Sequence, residues 1–229
     1  MSAISFVITP YGEHGLFAKI KGGDLIANAL AANAAADALR THASVLDSVA
    51  GVDSIAIRFH PSRLNPLQAA HMLEAALNDL SDLALTSGSA IEIPVCYGGA
   101  CGPDFLPLCE RLSLQPHQLI NLHTSTLYRV LTIGFAPGFA YLGPLPEALQ
   151  TERLASPRPR VPAGSVGVAG EMTGIYPLSS PGGWTLIGRT PTRLFDATLQ
   201  NPFLFAAGAT VRFLPIDEPE FSRLNRQPT

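Results

Sequence analysis

Hydrophobic and polar positions follow two different patterns along the chain, and the change falls near residues 95–125. Before it, short β-branched and aromatic runs alternate with longer alanine- and leucine-rich stretches, a pattern typical of strands alternating with helices. From residue 126 onward, strand-like runs are interrupted repeatedly by Gly and Pro, which is typical of a compact barrel or sandwich with many turns. The pattern predicts domains over residues 1–95 and 126–217, a helical linker over residues 96–125, and a polar tail over residues 218–229.

The first domain is predicted to contain strands and two capped helices. Asp24 stands where an N-cap belongs, ahead of the helical run Leu25–Val49, and Asn65 caps a second helix that has Pro66 at its first position. The second helix has an apolar stripe made of Leu67, Ala70, Leu73, Leu77 and Leu80. The strand runs are Ile4–Thr9, Gly15–Ile20, Ser54–Phe59 and Ile91–Val95. The order β-β-α-β-α-β predicts an α+β domain with helices on one face of a mostly antiparallel sheet.

The second domain is predicted to be all-β. Its strand-like pieces are TLYRVLTIGF, SVGVAG, GIYPL, GWTLIGRT and TVRFLPI. In the uncharged stretch IGFAPGFAYLG, Pro137 lacks an N–H group, so a central strand cannot continue through it. The strand is expected to end near Phe135, and the chain then turns so that Phe139 and Tyr141 point in a new direction.

Composition and charge narrow the class of protein. Charged residues make up 14% of the chain, hydrophobic residues 47%, and the net charge is -3 without a basic block. Nucleic acid is therefore not expected as a partner, since phosphate binding needs clustered Lys and Arg. No apolar run reaches the roughly 18 residues of a membrane span, and the N-terminus lacks a basic region typical of signal peptides. We expect a globular, cytoplasmic protein without a membrane partner.

Cysteines and missing motifs narrow the chemistry. Cys96, Cys101, Cys109 and His117 could form a Cys3His zinc site, but the spacing lacks the short C-x2-C pairs of zinc modules, so free thiols and no metal are predicted. The chain also lacks a P-loop for ATP, a G-x-S-x-G nucleophile elbow and an H-E-x-x-H motif. A self-contained hydrolase is therefore not expected.

The segment Arg158–Pro191 concentrates glycine, proline, aromatic and arginine residues. Glycines are used where the backbone turns sharply or approaches another group closely, aromatics form rigid walls, and arginines bind carboxylate or phosphate. The residues that point to a site are Arg158, Arg160, Tyr176, Trp184 and Arg189. Ordinary barrel corners with solvated arginines explain the same composition equally well, so both interpretations stay open on the residues alone.

Several long motifs resemble the allophanate hydrolase subunit 1 family, which includes the B-type subunit of 5-oxoprolinase and the sporulation kinase A inhibitor. The matching strings are EIPVCYGG with GPD, GFAPGFAYLG, PRVPAGSVGVAG, TGIYPLSSPGGW and LIGRTPTRLFD, which span most of residues 92–196. The resemblance implies an α+β N-terminal domain followed by an all-β cyclophilin-like barrel. It also implies a subunit 2 type partner, similar to the C-type subunit of 5-oxoprolinase, and a separate hydrolase-like A-type subunit. That assembly opens the lactam 5-oxo-L-proline to L-glutamate with ATP, which this chain need not bind alone.

The resemblance also predicts the site, although no catalytic residue is expected on this chain. Phe135, Phe139, Tyr141 and Trp184 are expected to form a wall, Tyr176 to orient polar groups, and the three arginines to hold carboxylate or phosphoryl groups. The full predicted substrate-binding or partner surface is Phe135, Pro137, Gly138, Phe139, Tyr141, Arg158, Arg160, Pro162, Thr173, Tyr176, Pro181, Gly182, Gly183, Trp184 and Arg189. Ala100 replaces a commonly acidic residue and Met172 a frequent glutamine, so the substrate or the rate is expected to differ if those positions touch substrate.

Two alternative functions fit the same family. A regulatory protein that inhibits a histidine kinase would present the apolar, proline-rich barrel surface to its partner. A component of the allophanate or urea carboxylase pathway would act beside biotin-dependent machinery, for which this chain has no biotinyl-lysine context.

Overall fold

A computed structural model describes residues 4–79 and 89–226 of the 229-residue chain. The chain divides into two compact units, Met1–Thr86 and Ser87–Thr229. Within the described residues, no helix is both long and apolar enough to cross a membrane.

The first unit is a four-stranded antiparallel sheet with two helices. Its elements are β1 (Ser5–Pro10), β2 (Gly15–Lys21), α1 (Leu25–Arg40), β3 (Val45–Ala50), β4 (Ser54–Phe59) and α2 (Pro66–Asn78). The strand order in the sheet is β1-β2-β4-β3. Both predicted N-caps are confirmed: the Ala27 N–H donates to the Asp24 carboxylate at 2.7 Å, and Asn65 forms a capping box with Gln68.

Two details of the first unit differ from the sequence prediction. The predicted helix Leu25–Val49 ends at Arg40, and its last part is strand β3, which pairs with β4 around an irregularity between Val45 and Asp47. The stripe of α2 is also shifted, since Ala69, Leu73 and Leu77 are buried whereas Leu67 is 66% exposed. Leu80 lies outside the described residues. An alanine-rich sequence favours a helix locally, and residues 45–50 form a strand only because they pair with β4.

The second unit is built on a closed barrel with the strand order β10-β7-β6-β13-β5-β12-β9. Its strands are β5 (Ile91–Tyr97), β6 (Tyr128–Ile133), β7 (Ala140–Gly143), β8 (Arg158–Val161), β9 (Ser165–Ala169), β10 (Met172–Ile175), β11 (Ser180–Gly182), β12 (Thr185–Arg189) and β13 (Thr210–Ile216). Strands β8 and β11 form a separate two-stranded sheet. Pairing is antiparallel except between β5 and β13, which run parallel. A closed barrel is what the cyclophilin-like expectation requires.

The barrel unit is not purely β. Its described residues include three α-helices and one short 3-10 helix (Glu147–Leu149), the α-helices being α3 (Phe105–Leu112), α4 (Pro116–Ser125) and α5 (Glu218–Asn225). Leu108 of α3 and Leu119 of α4 are buried in the same core as Val130 of β6 and Phe213 of β13. The helices therefore cover the barrel and complete its core.

The predicted boundaries differ from this division at three points. Strand β5, placed at the end of a domain over residues 1–95, pairs with β12 and β13 of the barrel. The predicted linker over residues 96–125 contains α3 and α4, which pack into the barrel core. The predicted tail over residues 218–229 begins with α5, capped by Asp217 and anchored by buried Phe221. The first two differences come from pairing and packing partners that are distant in sequence, whereas α5 carries a local helix signal in its cap Asp217.

Candidate functional site

The hairpin between β6 and β7 places the first aromatic residues of the site. Strand β6 ends at Ile133, and the turn is closed by hydrogen bonds from the Gly134 N–H to the Phe139 carbonyl (3.1 Å) and from the Phe139 N–H to the Ala136 carbonyl (3.0 Å). Phe135 adopts a left-handed φ of 69° and its side chain is 62% exposed. A left-handed phenylalanine is strained, and such strain persists where the surroundings hold it, often at functional sites.

Gly138 explains why this turn needs a glycine. Its φ is 82°, and an added Cβ would lie 2.8 Å from the Phe195 Cβ. A side chain there would be strained and would collide with a neighbouring segment. The turn predicted from IGFAPGFAYLG is thus present between β6 and β7, and it directs Phe139 inward and Phe135 outward.

Phe139 is the centre of an aromatic cluster. Its ring meets those of Phe135, Tyr141, Tyr176 and Trp184 edge-on, with centroid separations of 5.3, 4.9, 5.2 and 5.6 Å. Edge-to-face pairs at these distances stabilise a cluster beyond the burial of its area. Phe139, Tyr176 and Trp184 are buried, whereas Phe135 lies at the rim.

Glycines let backbone segments approach these rings. A Cβ on Gly182 would lie 2.7 Å from ring carbons of Tyr176, and a Cβ on Gly174 would lie 3.0 Å from the Trp184 ring. Any side chain at Gly182 would displace Tyr176, so glycine is needed for the observed packing.

A small cavity of about 140 Å³ opens beside the cluster. Its walls are Phe135, Phe139, Tyr141, Arg153, Leu154, Pro157, Tyr176, Gly182, Gly183 and Trp184. This volume is well below the roughly 300–1,000 Å³ of pockets for drug-sized ligands. It has room for one small ring with polar substituents.

The two tyrosines of the cavity keep their protons at neutral pH. Burial raises the pKa of Tyr141, and the charge of Arg153 acts in the opposite direction. Burial likewise raises the pKa of Tyr176, opposed by a backbone hydrogen bond from Trp184 and by the charges of Arg153 and Arg158. Both phenols can therefore donate hydrogen bonds to a ligand, but neither is a ready proton acceptor.

Two of the three arginines predicted for the site hold barrel segments together through internal contacts. Arg158 donates from Nη2 to the Asp104 carboxylate at 2.5 Å, and the second Asp104 oxygen accepts the Leu186 N–H at 2.7 Å. Arg189 donates from Nε to the Ala163 carbonyl at 2.8 Å, and its guanidinium lies 5.8 Å from the Phe221 ring centroid. Both side chains therefore have a structural role.

The remaining predicted residues are dispersed. Arg160 is exposed and donates to Ser179, and Pro137, Pro162 and Pro181 are exposed as well. None of these four residues, nor Arg158, Thr173, Gly138 or Arg189, lines the cavity. The structure thus brings together seven of the fifteen predicted residues, namely Phe135, Phe139, Tyr141, Tyr176, Gly182, Gly183 and Trp184.

Thr173 is fully buried and belongs to a polar chain around His123. Tyr97 Oη and His123 Nδ1 are 2.7 Å apart, His123 Nε2 and Thr173 Oγ1 are 3.0 Å apart, and Thr173 donates to the Gly167 carbonyl at 3.0 Å. Since Thr173 uses its proton for Gly167, His123 donates from Nε2 and accepts from Tyr97 at Nδ1. Burial lowers the pKa of His123 to about 3, so the ring is neutral.

Sequence reasoning missed His123 and Arg153. The partners of His123 lie 26 and 50 residues away, so nothing near it in the sequence marks it as buried. Arg153 lies outside the glycine-rich segment Arg158–Pro191, to which the sequence prediction assigned the arginines of the site. Its one local signal is its place shortly before the PRVPAGSVGVAG motif.

The cysteines form no metal centre within residues 4–79 and 89–226, where three or more metal-ligating side chains are nowhere brought together. All three are buried free thiols. Burial and the neighbouring Cys101 raise the pKa of Cys96 to about 12, which keeps it protonated. A protonated thiol such as that of Cys96 is a poor nucleophile and a poor metal ligand.

A second, larger cavity of about 440 Å³ lies along the loop that includes Phe195 and Phe203. Its charged lining residues, Arg193 and Asp196, pair with each other at 2.6 Å. Polar groups already satisfied within a cavity give a polar ligand little specificity. The aromatic cavity, which includes a cation, is therefore the better candidate despite its smaller size.

Comparison with known proteins places the chain in a family. The family model of the carboxyltransferase domain, subdomains C and D, matches residues 6–205. The chain belongs to this family. The B-type subunit of 5-oxoprolinase from Escherichia coli O157:H7 is 43% identical over 175 residues, which cover 76% of this chain and 80% of that protein. The resemblance drawn from the motifs to the B-type subunits of 5-oxoprolinase is thereby confirmed.

Solved structures agree with the fold. A crystal structure of TTHA0988 superposes with a TM-score of 0.75 and 36% identity, covering 90% of this chain and 40% of that chain. The urea carboxylase of Kluyveromyces lactis superposes with a TM-score of 0.74 at 18% identity, covering 95% of this chain and 22% of that one. The second likeness shows the fold alone. This chain spans two fifths or less of both solved chains.

Proposed function

We propose that this chain is a non-autonomous subunit of an ATP-dependent 5-oxoprolinase that opens the lactam 5-oxo-L-proline to L-glutamate. The observation that carries the proposal is the 43% identity to a B-type subunit of 5-oxoprolinase across 80% of that protein. Its partners would be a subunit 2 type protein, similar to the C-type subunit of 5-oxoprolinase, and a hydrolase-like A-type subunit. The length of TTHA0988 supports a partner, because this chain covers only 40% of that chain.

The aromatic cavity supports a binding role for this chain. Its rings and its volume of about 140 Å³ suit a five-membered lactam, and Tyr141 and Tyr176 can donate hydrogen bonds to the ring carbonyl. None of its lining residues is a carboxylate, histidine or cysteine that would serve as base or nucleophile. This chain would hold and orient the lactam and exclude water, while a partner supplies the reacting groups.

ATP belongs to the assembly in this proposal. A nucleotide with its phosphates needs far more space than this cavity offers and a cluster of phosphate-binding groups, so we place ATP on a partner protein. When bound there, ATP supplies the free energy for opening the stable amide bond. The residues of this chain contribute by positioning the ring for attack at its carbonyl carbon.

Reconstitution tests the proposal. The chain is co-purified with its A-type and C-type counterparts, and ATP-dependent glutamate release from 5-oxo-L-proline is measured with and without it. We expect release only when all three are present. Equal release by the two counterparts alone would overturn the proposed function.

One feature favours the alternative of a regulatory partner protein. Phe135 is held outward in a left-handed conformation at the cavity rim, where an exposed aromatic residue suits protein docking. Titration of the purified chain against histidine kinases, with autophosphorylation as readout, tests this alternative. Unchanged autophosphorylation at saturating protein would exclude it for those kinases.

A further inference from the structure

Arg153 is fixed at the edge of the aromatic cavity by backbone hydrogen bonds on both sides. The Gly170 N–H donates to the Thr151 carbonyl at 2.7 Å, and the Leu154 N–H donates to the Gly183 carbonyl at 2.8 Å. These bonds tie the segment to the strand end at Gly170 and to the glycine pair beside Trp184. Arg153 therefore starts from a defined backbone position and lines the cavity with its side chain.

The Arg153 guanidinium is exposed and has no internal partner among the described residues. Among residues 4–79 and 89–226, no acceptor takes a hydrogen bond from it and no carboxylate pairs with it, in contrast to Arg158 with Asp104 and Arg189 with Ala163. Its charge reaches both tyrosines of the cavity, since it opposes the rise in the pKa of Tyr141 and of Tyr176. An unpaired cation thus stands beside two phenolic hydroxyls and an aromatic wall.

This arrangement selects a class of ligand. A guanidinium binds a planar carboxylate through two parallel hydrogen bonds, and the exposed Arg153 side chain is free to form this contact at the mouth of the cavity. The cavity lining includes no acidic side chain that would neutralise Arg153 from within. At about 140 Å³, against about 30 Å³ for a water molecule, the cavity takes one small ring but not a nucleotide or a peptide segment.

We propose that Arg153 anchors the carboxylate of a small cyclic acid whose ring lies against Phe139, Tyr141 and Trp184. The inference rests on the proposed function, in which that acid is 5-oxo-L-proline. Arg153 then determines specificity for the acid over neutral lactams of the same shape, while the aromatic rings recognise the ring itself. Arg158 and Arg189, which the sequence favoured for this role, keep the barrel segments in place.

Trp184 allows a direct test, because it is the only tryptophan of the chain and lines the cavity. The full-length chain is titrated with 5-oxo-L-proline and with its neutral isostere 5-oxo-L-prolinamide, and Trp184 fluorescence is recorded. We expect the native chain to prefer the acid. Arg153→Gln should weaken binding of the acid several-fold, up to about tenfold, and leave binding of the amide unchanged.

Two further variants separate charge from folding. Arg153→Lys keeps the charge without the planar fork and should recover part of the preference for the acid. Arg212→Gln removes an exposed arginine of β13 that is not among the cavity-lining residues, so it should bind both ligands as the native chain does. Thermal unfolding followed at Trp184 verifies that each variant folds.

The outcomes distinguish this inference from the proposed function. The anchor role is overturned if the native chain shows no binding, if it binds acid and amide equally, or if Arg153→Gln keeps the native preference. In the reconstituted assembly, Arg153→Gln should raise KM for 5-oxo-L-proline several-fold, up to about tenfold. An unchanged KM also overturns the anchor role. The proposed function is tested separately, because it fails if glutamate release continues at the same level when this chain is omitted or is absent from the complete assembly, whatever residue stands at position 153.

Discussion

Replacement of His123 by glutamine should change how the stability of the barrel depends on pH. His123 is fully buried between Tyr97 and Thr173, and its ring stacks on Phe213 with centroids 4.4 Å apart. Burial lowers the pKa of His123 from 6.5 to about 3 in the folded protein. The folded state therefore binds this proton much more weakly than the unfolded chain does.

The sign and size of the effect follow from that difference. Well above pH 6.5 the histidine is neutral in both states, so the stability that its packing provides is fully retained. As the pH falls from 6.5 towards 3, the unfolded state takes up the proton and the folded state does not, which lowers the free energy of unfolding. At pH 4.5, two pH units below the unfolded pKa of 6.5, this loss of unfolding free energy is about 2.5–3 kcal/mol, because each pH unit corresponds to about 1.4 kcal/mol.

Glutamine at position 123 cannot titrate, so the variant lacks this contribution. At pH 7.5 we expect it to be less stable than the native chain by about 1–3 kcal/mol, because the buried Tyr97 hydroxyl loses a well-placed acceptor. The difference between the two proteins should shrink as the pH falls and vanish or reverse near pH 4.5.

Urea unfolding followed by Trp184 fluorescence measures this difference, because the only tryptophan belongs to the barrel unit. His117→Gln, in the exposed first turn of the same helix, is the matched control and should keep the native pH dependence. Parallel stability curves for the native chain and His123→Gln between pH 7.5 and 4.5 would refute the reasoning.

Three further substitutions test the site and its supports. Phe135→Asn should keep the free energy of unfolding within about 1 kcal/mol of the native value, because asparagine tolerates the left-handed conformation. It should nevertheless weaken the binding of 5-oxo-L-proline. A large loss of stability in thermal unfolding would contradict this expectation. Gly182→Ala should destabilise the barrel by about 1–3 kcal/mol through its collision with the Tyr176 ring, and a native melting temperature would contradict the packing argument. Asp104→Asn should lower the free energy of unfolding in urea by about 1.5–3 kcal/mol, because it removes the charged acceptor of Arg158 and weakens the acceptor of the Leu186 N–H. An unchanged urea midpoint would show that the Arg158–Asp104 pair contributes little to stability.

Features that depend on neighbouring residues could be predicted from the amino-acid sequence. The caps at Asp24 and Asn65 and the turn after β6 depend on interactions within a few residues, so local residue chemistry was sufficient to predict them. The motifs between residues 92 and 196 identified the family, since long strings in order and spacing carry far more information than composition. The aromatic residues of the cavity were predicted for the same reason.

Which side chains meet became clear only from the folded chain. Strand β5 belongs to the barrel because its partners are β12 and β13, which follow it by about 90 and 120 residues along the chain. In the sequence, Arg158 is as good a candidate for binding an anion as Arg153. In the folded chain, however, Arg158 pairs with Asp104, 54 residues earlier, and Arg153 is the cation that lines the cavity. His123 became a buried, neutral link only through residues 26 and 50 positions away. Contacts between such distant residues form only when the barrel closes, so they could not be predicted from the local sequence pattern.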